Sequence, residues 1–209
     1  IEHPAELKLM PKEYFRDVLI SARDYGFSYE DGKEPLTEHF DFELRRGERV
    51  FLQGTNGCGK STFIKQILNK RSAAELSYTG ELNVGSGLII SYISQDTGFL
   101  RGRIDDYCRD RELSLSLMLA LLRQLDLERV QFEKPMESYS EGQKKKVLIA
   151  ESLLTPAHLY IWDEPLNYID VFSRMQIEEL ILKFSPTMLI VDHDVRFRDN
   201  VATRVADMP

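Results

Sequence analysis

The chain has 209 residues, of which 43% are hydrophobic and 29% are charged, and its net charge is −7 at pH 7. This composition is typical of a globular protein with one domain, or one with an embedded subdomain. Its longest apolar runs fall far short of the ~20 residues of a membrane span, and its negative charge disfavours a broad nucleic-acid-binding face. The sequence shows no signal peptide. We therefore expect a cytoplasmic protein with no direct membrane insertion.

The first 15 residues are polar, contain two prolines and show no sustained periodicity. Such a segment is typical of a linker end or a loosely packed arm. The chain starts with Ile1 instead of Met, and we therefore expect a fragment of a longer protein.

Alternating apolar and polar residues predict the first strands, one beginning near Arg16 and one at His39–Leu44. Turns are expected at residues 30–33 and 45–47, where glycine occurs among polar residues. Tyr29 lies just before the first of these turns. Its spacing alone favours a half-buried strand aromatic over a ligand-binding residue.

Residues Gly54–Thr62 match the phosphate-loop pattern G-x-x-x-x-G-K-S/T between a predicted strand, Arg49–Gln53, and a helix-like run, Ser61–Leu68. The glycines allow successive backbone amides to point at one anion, and the helix N-terminus adds positive potential. A glycine turn that only caps a helix is the alternative, which the flanking strand and helix disfavour. The residues predicted to bind a triphosphate are Gly54, Thr55, Asn56, Gly57, Cys58, Gly59, Lys60, Ser61 and Thr62.

Three side chains of this loop have expected chemical roles. Lys60 is predicted to reach the β- and γ-phosphates as a point charge, and the Ser61 hydroxyl to bind Mg2+. Thr62 lies one position further and is expected to bond an α-phosphate oxygen. The loop therefore predicts a magnesium nucleotide as its ligand.

After the phosphate loop the pattern changes from strands to helices. Two strands are predicted at residues 79–84 and 88–93, and Gln95 follows the second. Helical periodicity extends from Arg103 to Glu133. Four leucines are interpreted as one face that packs between helices: Leu113, Leu117, Leu121 and Leu125.

A further helix is predicted at Lys144–Leu153, with an apolar core face. Ser140 is well placed to cap it, and Gly142 and Gln143 lie at its first turn. The N-terminus of this helix is therefore a second candidate anion site. The run of three lysines, residues 144–146, is expected to be an exposed helix face.

The apolar run His158–Trp162 is typical of a strand buried in a parallel sheet, and it ends in Asp163 and Glu164. Asp163 is expected to hold Mg2+ through its water shell, and Glu164 to polarise the water that attacks the γ-phosphate. Two solvated loop acids are the alternative, disfavoured by the phosphate loop. Another apolar strand, residues 187–191, leads to His193, which alone would more often be a structural histidine.

Strands and helices alternate along the chain, which predicts an α/β sheet with ligands at the carboxyl ends of its strands. In their order, the motifs resemble the nucleotide-binding domain of the ATP-binding cassette superfamily, from residue 16 to about residue 206. The matching motifs are Walker A at Gly54–Thr62, the Q-loop at Gln95, the signature at Tyr139–Gln143, Walker B at Ile161–Glu164, the D-loop at Asn167–Asp170 and the switch histidine at His193.

The resemblance implies a P-loop NTPase with a parallel core sheet, an antiparallel β-subdomain and a helical subdomain inserted at about residues 99–154 of a domain at 16–209. It implies ATP and Mg2+ as cofactors and ATP hydrolysis as the activity. Tyr29 is then the implied adenine-stacking aromatic. The implied catalytic residues are Glu164, His193, Gln95 and Lys60, and the implied metal ligands are Ser61, Gln95 and Asp163.

Cassettes of this superfamily pack head to tail in pairs. The resemblance therefore implies that Ser140, Gly142 and Gln143 serve the nucleotide of a second cassette, in the same longer chain or in a homodimer. It also implies slow turnover by the isolated domain, because its own γ-phosphate lacks a partner signature.

Two stretches, Tyr139–Lys146 and Glu164–Asp170, look most like the ABC-F branch and its antibiotic-resistance ribosome-protection factors, of which this would be the second cassette. Residues 1–15 would be the tail of the inter-cassette linker, and the ribosome an implied partner. In that setting residues 144–146 have an alternative interpretation as a contact to ribosomal RNA phosphate. The rival interpretations are an ATPase subunit of an ABC membrane transporter and a nucleotide-gated module with little turnover.

Overall fold

The computed structural model describes residues 11–29, 34–69 and 76–209. Most of the predicted arm, residues 1–10, and the predicted turn at residues 30–33 lie outside the described residues. Eight strands and six α-helices lie within these ranges.

The described end of the arm is packed on the domain. Tyr14 is buried, and its hydroxyl donates to the carbonyl of Ser86 over 2.6 Å. The backbone amide of Lys12 donates to the carbonyl of Ala157 over 2.8 Å. The expected loosely packed arm is therefore anchored here at two points.

Strands and helices alternate along most of the described chain. The strands are β1 (Val18–Ser28), β2 (Thr37–Arg45), β3 (Arg49–Gln53), β4 (Ser77–Val84), β5 (Ile90–Ile93), β6 (Leu159–Asp163), β7 (Met188–Val191) and β8 (Arg204–Asp207). The α-helices are α1 (Lys60–Ile67), α2 (Ile104–Asp110), α3 (Leu115–Gln124), α4 (Glu141–Leu154), α5 (Val171–Phe184) and α6 (Val195–Val201), with 3-10 turns at Arg129–Glu133 and Met136–Ser138.

Three strands form an antiparallel sheet in the order β2-β1-β4. Its buried aromatic side chains pack on α1, where the ring of Phe63 contacts Tyr25, Phe40 and Phe42 at centroid distances of 6.1, 5.4 and 5.8 Å. Aromatic contacts at these distances stabilise a fold beyond the area that they bury. They hold the antiparallel sheet against the helix that leaves the phosphate loop.

The other five strands form a parallel sheet in the order β5-β6-β7-β3-β8. All five residues of β6 and all four of β7 are buried, as expected for central strands of such a sheet. Because parallel strands end at one edge, the loops that follow β3, β5, β6 and β7 meet there. The predicted combination of a parallel sheet, an antiparallel sheet and helices is confirmed.

Two hydrophobic clusters fill the two faces of the parallel sheet. Along β6, Leu159 and Ile161 belong to the cluster shared with the antiparallel sheet and α1. Tyr160 and Trp162 belong to the cluster shared with α2, α3, α4 and α5. Side chains of a strand alternate between faces, and both faces of β6 are therefore apolar.

The packing interpretation of the leucines is confirmed for Leu121 and Leu125, which are buried in the core among the helices, and for Leu113, which packs against it. The prediction of one continuous helical face is wrong. Glu112 has a left-handed backbone with φ of 57°, which ends the first helix of this region, and Ser114 caps the next. Leu113 therefore precedes α3, and Leu125 follows it. The buried residues of α3 are Met118, Leu121 and Leu122.

Candidate functional site

The phosphate loop connects β3 to α1, as its pattern predicts. Gly59, the residue before α1, has φ of +93°, and a Cβ at this position would lie 2.8 Å from the ring of Phe27. Glycine is therefore required there both for its left-handed backbone and for the close approach. Cys58 is buried and its amide donates to the carbonyl of Thr55 over 3.1 Å, so its thiol is turned away from solvent.

A cleft of about 450 Å3 lies above this loop. Its volume falls within the range of small-molecule sites. The cleft unites residues from five separate parts of the sequence. Its lining consists of Tyr29, Leu36, Asn56, Gly57, Gly59, Lys60, Ser61, Thr62, Gln95, Glu164, Val191 and His193. A second cavity of about 400 Å3 shares Lys60 with this cleft and is lined by Gly54 and Thr55 among others.

Lys60 and Tyr29 approach the cleft from opposite ends of the loop. The Lys60 ammonium donates to the carbonyl of Gly54 over 2.7 Å, which folds its side chain back along the loop. Tyr29 is 41% exposed, and its hydroxyl forms a hydrogen bond with that of Thr62. An exposed aromatic face beside a phosphate loop is suited to stacking on a base.

Gln95 joins the loop to the end of β6. Its amide nitrogen donates to the Ser61 hydroxyl and to a carboxylate oxygen of Asp163, both over 3.1 Å. The pKa of Asp163 is raised because burial, the largest effect, outweighs the hydrogen bonds from Gln95 and Ser61, which lower it. One polar centre therefore brings together the three residues predicted as metal ligands.

This donor set fits Mg2+ bound with a nucleotide. A hydroxyl, a carboxylate and an amide are oxygen donors, which Mg2+ prefers, and the ion usually keeps waters and phosphate oxygens in its shell. The part of the chain that the structure describes has no group of three or more His, Cys, Asp or Glu side chains suited to a metal. Because the protein supplies so few anionic ligands, the nucleotide itself would have to complete the site.

Glu164 follows β6 with a left-handed backbone, φ of 50°. Its amide donates to the carbonyl of Val191 over 2.7 Å, which fixes this residue to the end of β7. One carboxylate oxygen lies 3.2 Å from Nε2 of His193, and the other accepts from Asn167 over 3.0 Å. A non-glycine residue in this conformation is held by its surroundings, and such positions concentrate at functional sites.

The N-terminus of α4 lies apart from this cleft. Ser140 and Gln143 form a reciprocal capping box. The Ser140 hydroxyl oxygen accepts from the backbone amide of Gln143, and the side-chain oxygen of Gln143 accepts from the backbone amide of Ser140. The cap uses oxygens of both side chains, so the Ser140 hydroxyl hydrogen and the Gln143 amide hydrogens remain as donors. The predicted N-cap is confirmed by this geometry.

Gly142, in the same first turn, contacts the D-loop. A Cβ at Gly142 would lie 2.4 Å from the carbonyl oxygen of Tyr168, so only glycine allows this approach without a shift of the backbone. Tyr168 itself is 78% exposed and has φ of 66°. The signature turn and the D-loop are therefore in direct contact within one chain.

The lysine run does not form an exposed helix face, and that prediction is wrong. Lys145 is 3% exposed and Lys146 is 8% exposed. Lys146 pairs with Asp170 at 3.0 Å, and the partly buried Lys144 lies 3.7 Å from Glu141. Because Lys145 and Lys146 are buried, they are not available to contact RNA phosphate, and the alternative interpretation of the run is also disfavoured.

Lys145 is the site residue that the sequence interpretation missed. Its ammonium donates to the carbonyls of Gln95 and Glu164, over 3.4 and 3.2 Å. Burial lowers its pKa, although four nearby carboxylates raise it: Asp163, Glu164, Glu141 and Asp192. The helical period could have indicated the burial of Lys145, because Leu148 and Ile149 lie three and four residues further on the same helix face and are buried.

A family model described as ABC transporter matches residues 37–167, which is more than half of the chain. The chain belongs to the ABC transporter family. ATP-binding domains of this family hydrolyse ATP. A solved structure titled "Structure of ATP binding subunit of ABC transporter" has the same fold, with a TM-score of 0.73, 24% identity, and coverage of 91% of this chain and 85% of that one.

Curated relatives resemble the cassette over most of its length. They include "ATP-binding protein Uup-like" of Haemophilus influenzae, 32% identical over 84% of this chain and 39% of the relative. "ATP-binding protein Uup" of Escherichia coli is 30% identical over 94% and 32%. "ABC transporter F family member 5" of Arabidopsis thaliana is 26% identical over 91% and 28%. These names support the F type at family level, and the chain spans 28% to 39% of these relatives' length.

None of the helices in the described ranges has the length and apolarity to span a membrane.

Proposed function

We propose that this cassette binds MgATP in the cleft above Gly54–Thr62 and hydrolyses it. The observation that carries this proposal is the Gln95 amide, which bridges Ser61 and Asp163 at 3.1 Å while Glu164 faces His193 at 3.2 Å. Residues from the phosphate loop and from three strand ends thus converge on one cleft. Such convergence is what phosphoryl transfer requires, because its catalysis depends on positioning and charge.

The proposed roles follow from the chemistry of each group. Lys60 would leave the Gly54 carbonyl for the terminal phosphates, as a charge-assisted donor. Glu164 would orient or deprotonate the attacking water, and His193, already within reach of Glu164, would contact the γ-phosphate. Bound Mg2+, held by Ser61, Asp163 and a reoriented Gln95 amide, would neutralise phosphate charge.

We place the adenine on the face of Tyr29. Its ring is partly exposed at the rim of the cleft, and its hydroxyl contacts Thr62, the last residue of the loop. Thr62 would then exchange that contact for an α-phosphate oxygen. We propose that the backbone of the loop at Thr55, Asn56 and Cys58 also contacts the triphosphate.

A second cassette is part of this proposal. Ser140, Gly142 and Gln143 lie outside the cleft lining, while the helix turn that carries them retains free donors. A helix N-terminus with such donors suits the γ-phosphate of another chain or cassette. Hydrolysis would then separate the two halves, as a switch driven by differential binding.

The full-length protein is proposed to be of the ABC-F type, with this cassette at residues 16–209, its helical insert at about 99–154 and an inter-cassette linker that ends in residues 1–15. Similarity to a relative named as an F family member supports this assignment. Ribosome protection against antibiotics is the proposed setting, supported by the motif resemblance of Glu164–Asp170.

Co-sedimentation with ribosomes tests the proposal. The full-length protein with Glu164→Gln, which retains the phosphate site but loses the carboxylate, is incubated with ATP and pelleted through sucrose. We expect ATP-dependent pelleting and a fall in hydrolysis of about a hundredfold or more. Lys60→Ala is the control, since it should lose ATP binding and pelleting together. Pelleting by both variants alike, or by neither, would contradict the proposal.

An ATPase subunit of a membrane transporter is the second candidate. The observation that favours it is the fold shared with a structure titled as such a subunit. Membrane fractionation of the same full-length protein distinguishes the two. Recovery on membranes through a partner, with no ribosome binding, would replace the F-type assignment and leave ATP hydrolysis in place.

A further inference from the structure

Lys145 lies between two motifs that act together in the proposed hydrolysis. Lys145 is on α4 and is only 3% exposed, and its ammonium donates to the backbone carbonyls of Gln95 and Glu164. Neither contact uses the side chains of those residues. Lys145 therefore contacts the backbone that carries both functional groups, leaving the groups themselves available to a ligand.

The two carbonyls belong to loops that follow different strands, and the Gln95 side chain also contacts Asp163, the residue before Glu164. The Gln95 loop follows β5 and is fixed by short contacts of its own, such as the Asp96 amide to the Ser94 hydroxyl at 2.9 Å. Glu164 is fixed to β7 through the carbonyl of Val191. The Lys145 ammonium, with three donors, is a direct bridge between the two backbones.

This bridge sets the distance between the residue that contacts Ser61 and Asp163 and the residue that orients water. We propose that Lys145 is a positioning residue, which holds the Gln95 loop and the left-handed Glu164 backbone in one arrangement through their carbonyls. Lys145 is not among the residues that line the cleft, and it acts through these two residues. This inference rests on the proposed hydrolysis and assigns to it a part that the motif resemblance does not include.

Lys146 provides a matched comparison on the same helix. It is also buried, at 8% exposed, but its partner is the carboxylate of Asp170, the last residue of the D-loop. Replacement of either lysine by methionine removes one buried ammonium. Methionine keeps an unbranched side chain of similar length. A general loss of helix stability would affect both variants alike, whereas a positioning role predicts two different patterns.

Amide hydrogen exchange in the nucleotide-free protein is the first measurement. In Lys145→Met we expect faster exchange at residues 94–98 and 164–166. In Lys146→Met we expect it at residues 168–174, where Asp170 caps α5. Lys145→Arg, which keeps the charge and several donors, should restore slow exchange at both loops. Lys145→Gln replaces the methionine variant if that one does not fold, with the same expectations.

Steady-state kinetics of the full-length protein are the second measurement. Misplaced groups reduce turnover more than binding, so we expect Lys145→Met to lower kcat about tenfold to a hundredfold, with KM for ATP within about threefold. Lys145→Arg should recover most of kcat. Unchanged exchange at residues 94–98 in Lys145→Met, or the same pattern in both methionine variants, would overturn the inference. If the wild type neither binds nor hydrolyses ATP, the proposed function fails, while the exchange experiment still tests the bridge.

Discussion

Asp170 connects the D-loop to two helices, and its replacement by alanine is predicted to destabilise the cassette strongly. Its carboxylate accepts from the Ser173 amide at 2.9 Å and from the Ser173 hydroxyl at 2.8 Å, which caps α5. It also lies 3.0 Å from the ammonium of Lys146 on α4. Asp170→Ala removes the cap and leaves a buried ammonium without its carboxylate.

The expected loss follows from these two contributions. An N-cap is worth about 1 kcal/mol. Loss of one partner of a fully buried pair costs about 3–5 kcal/mol, but the Asp170 side chain is 47% exposed and only that of Lys146 is buried, at 10%. With solvent screening we take about 1–2 kcal/mol for the pair. Asp170→Ala should therefore cost about 2–3 kcal/mol, or roughly 5–10 °C in Tm.

Urea unfolding measures this loss, with Asp170→Asn as the informative control. Asparagine keeps a capping oxygen and loses only the charge, so its cost should be smaller by about 1 kcal/mol. Asp105→Asn, at an exposed pair with Arg103, should leave stability nearly unchanged. A cost for Asp170→Ala no larger than that of Asp105→Asn would refute the reasoning.

The same carboxylate predicts a pH dependence. Burial raises the pKa of Asp170, but hydrogen bonds from Ser173 and Lys146 outweigh it and lower the pKa from 3.8 to about 2. A carboxyl with a depressed pKa in the folded state stabilises the fold above its unfolded pKa, and the contribution is lost as pH falls through the folded value. The stability difference between wild type and Asp170→Asn should therefore shrink between about pH 4 and pH 2. An equal difference at pH 5 and at pH 2 would contradict this assignment.

Three further predictions concern the site. Tyr29→Ala should weaken binding of a fluorescent ATP analogue by about tenfold, as expected for loss of a stacking face, and Tyr29→Phe by much less. Lys60→Ala should weaken the same binding by about tenfold or more, because a charge-assisted bond to phosphate is lost. Gly142→Ala should cost about 1–3 kcal/mol in urea unfolding, because its Cβ would lie 2.4 Å from the Tyr168 carbonyl.

Each of these has an outcome that would contradict it. Equal loss in Tyr29→Phe and Tyr29→Ala would indicate that the hydroxyl contact with Thr62 matters and that stacking does not. Unchanged binding in Lys60→Ala would place the phosphates elsewhere. For Gly142→Ala, unchanged stability in urea unfolding would remove the contact with the Tyr168 carbonyl as a constraint on this position.

The sequence predicted those parts of the cassette that local chemistry determines. The phosphate loop has a fixed spacing of glycines, lysine and hydroxyl residues, and strand Arg49–Gln53 was predicted with its observed bounds. Ser140 was recognisable as a cap because its type and position suffice for that role. Asp163 was placed correctly at the end of a buried strand, since an unbroken apolar run requires burial on both faces.

Features that depend on distant contacts were not predictable in the same way. The burial of Lys145 and Lys146 requires the Gln95 loop, Glu164 and Asp170 to surround one side of α4, and three like charges in sequence suggested the opposite. The tight contact of Gly142 with Tyr168 likewise depends on the path of the D-loop. The break between α2 and α3 escaped because leucines at a helical spacing continue through it.

The alternation of side chains along β6 has a consequence for how this protein can vary. Leu159 and Ile161 fill one core, and Tyr160 and Trp162 fill the other. Deletion of a single residue from this strand would exchange the two sets and move Asp163 to the opposite side of the sheet. Substitutions of similar size should therefore be tolerated in β6, whereas a change of its length by one residue should abolish both the fold and the placement of its carboxylates.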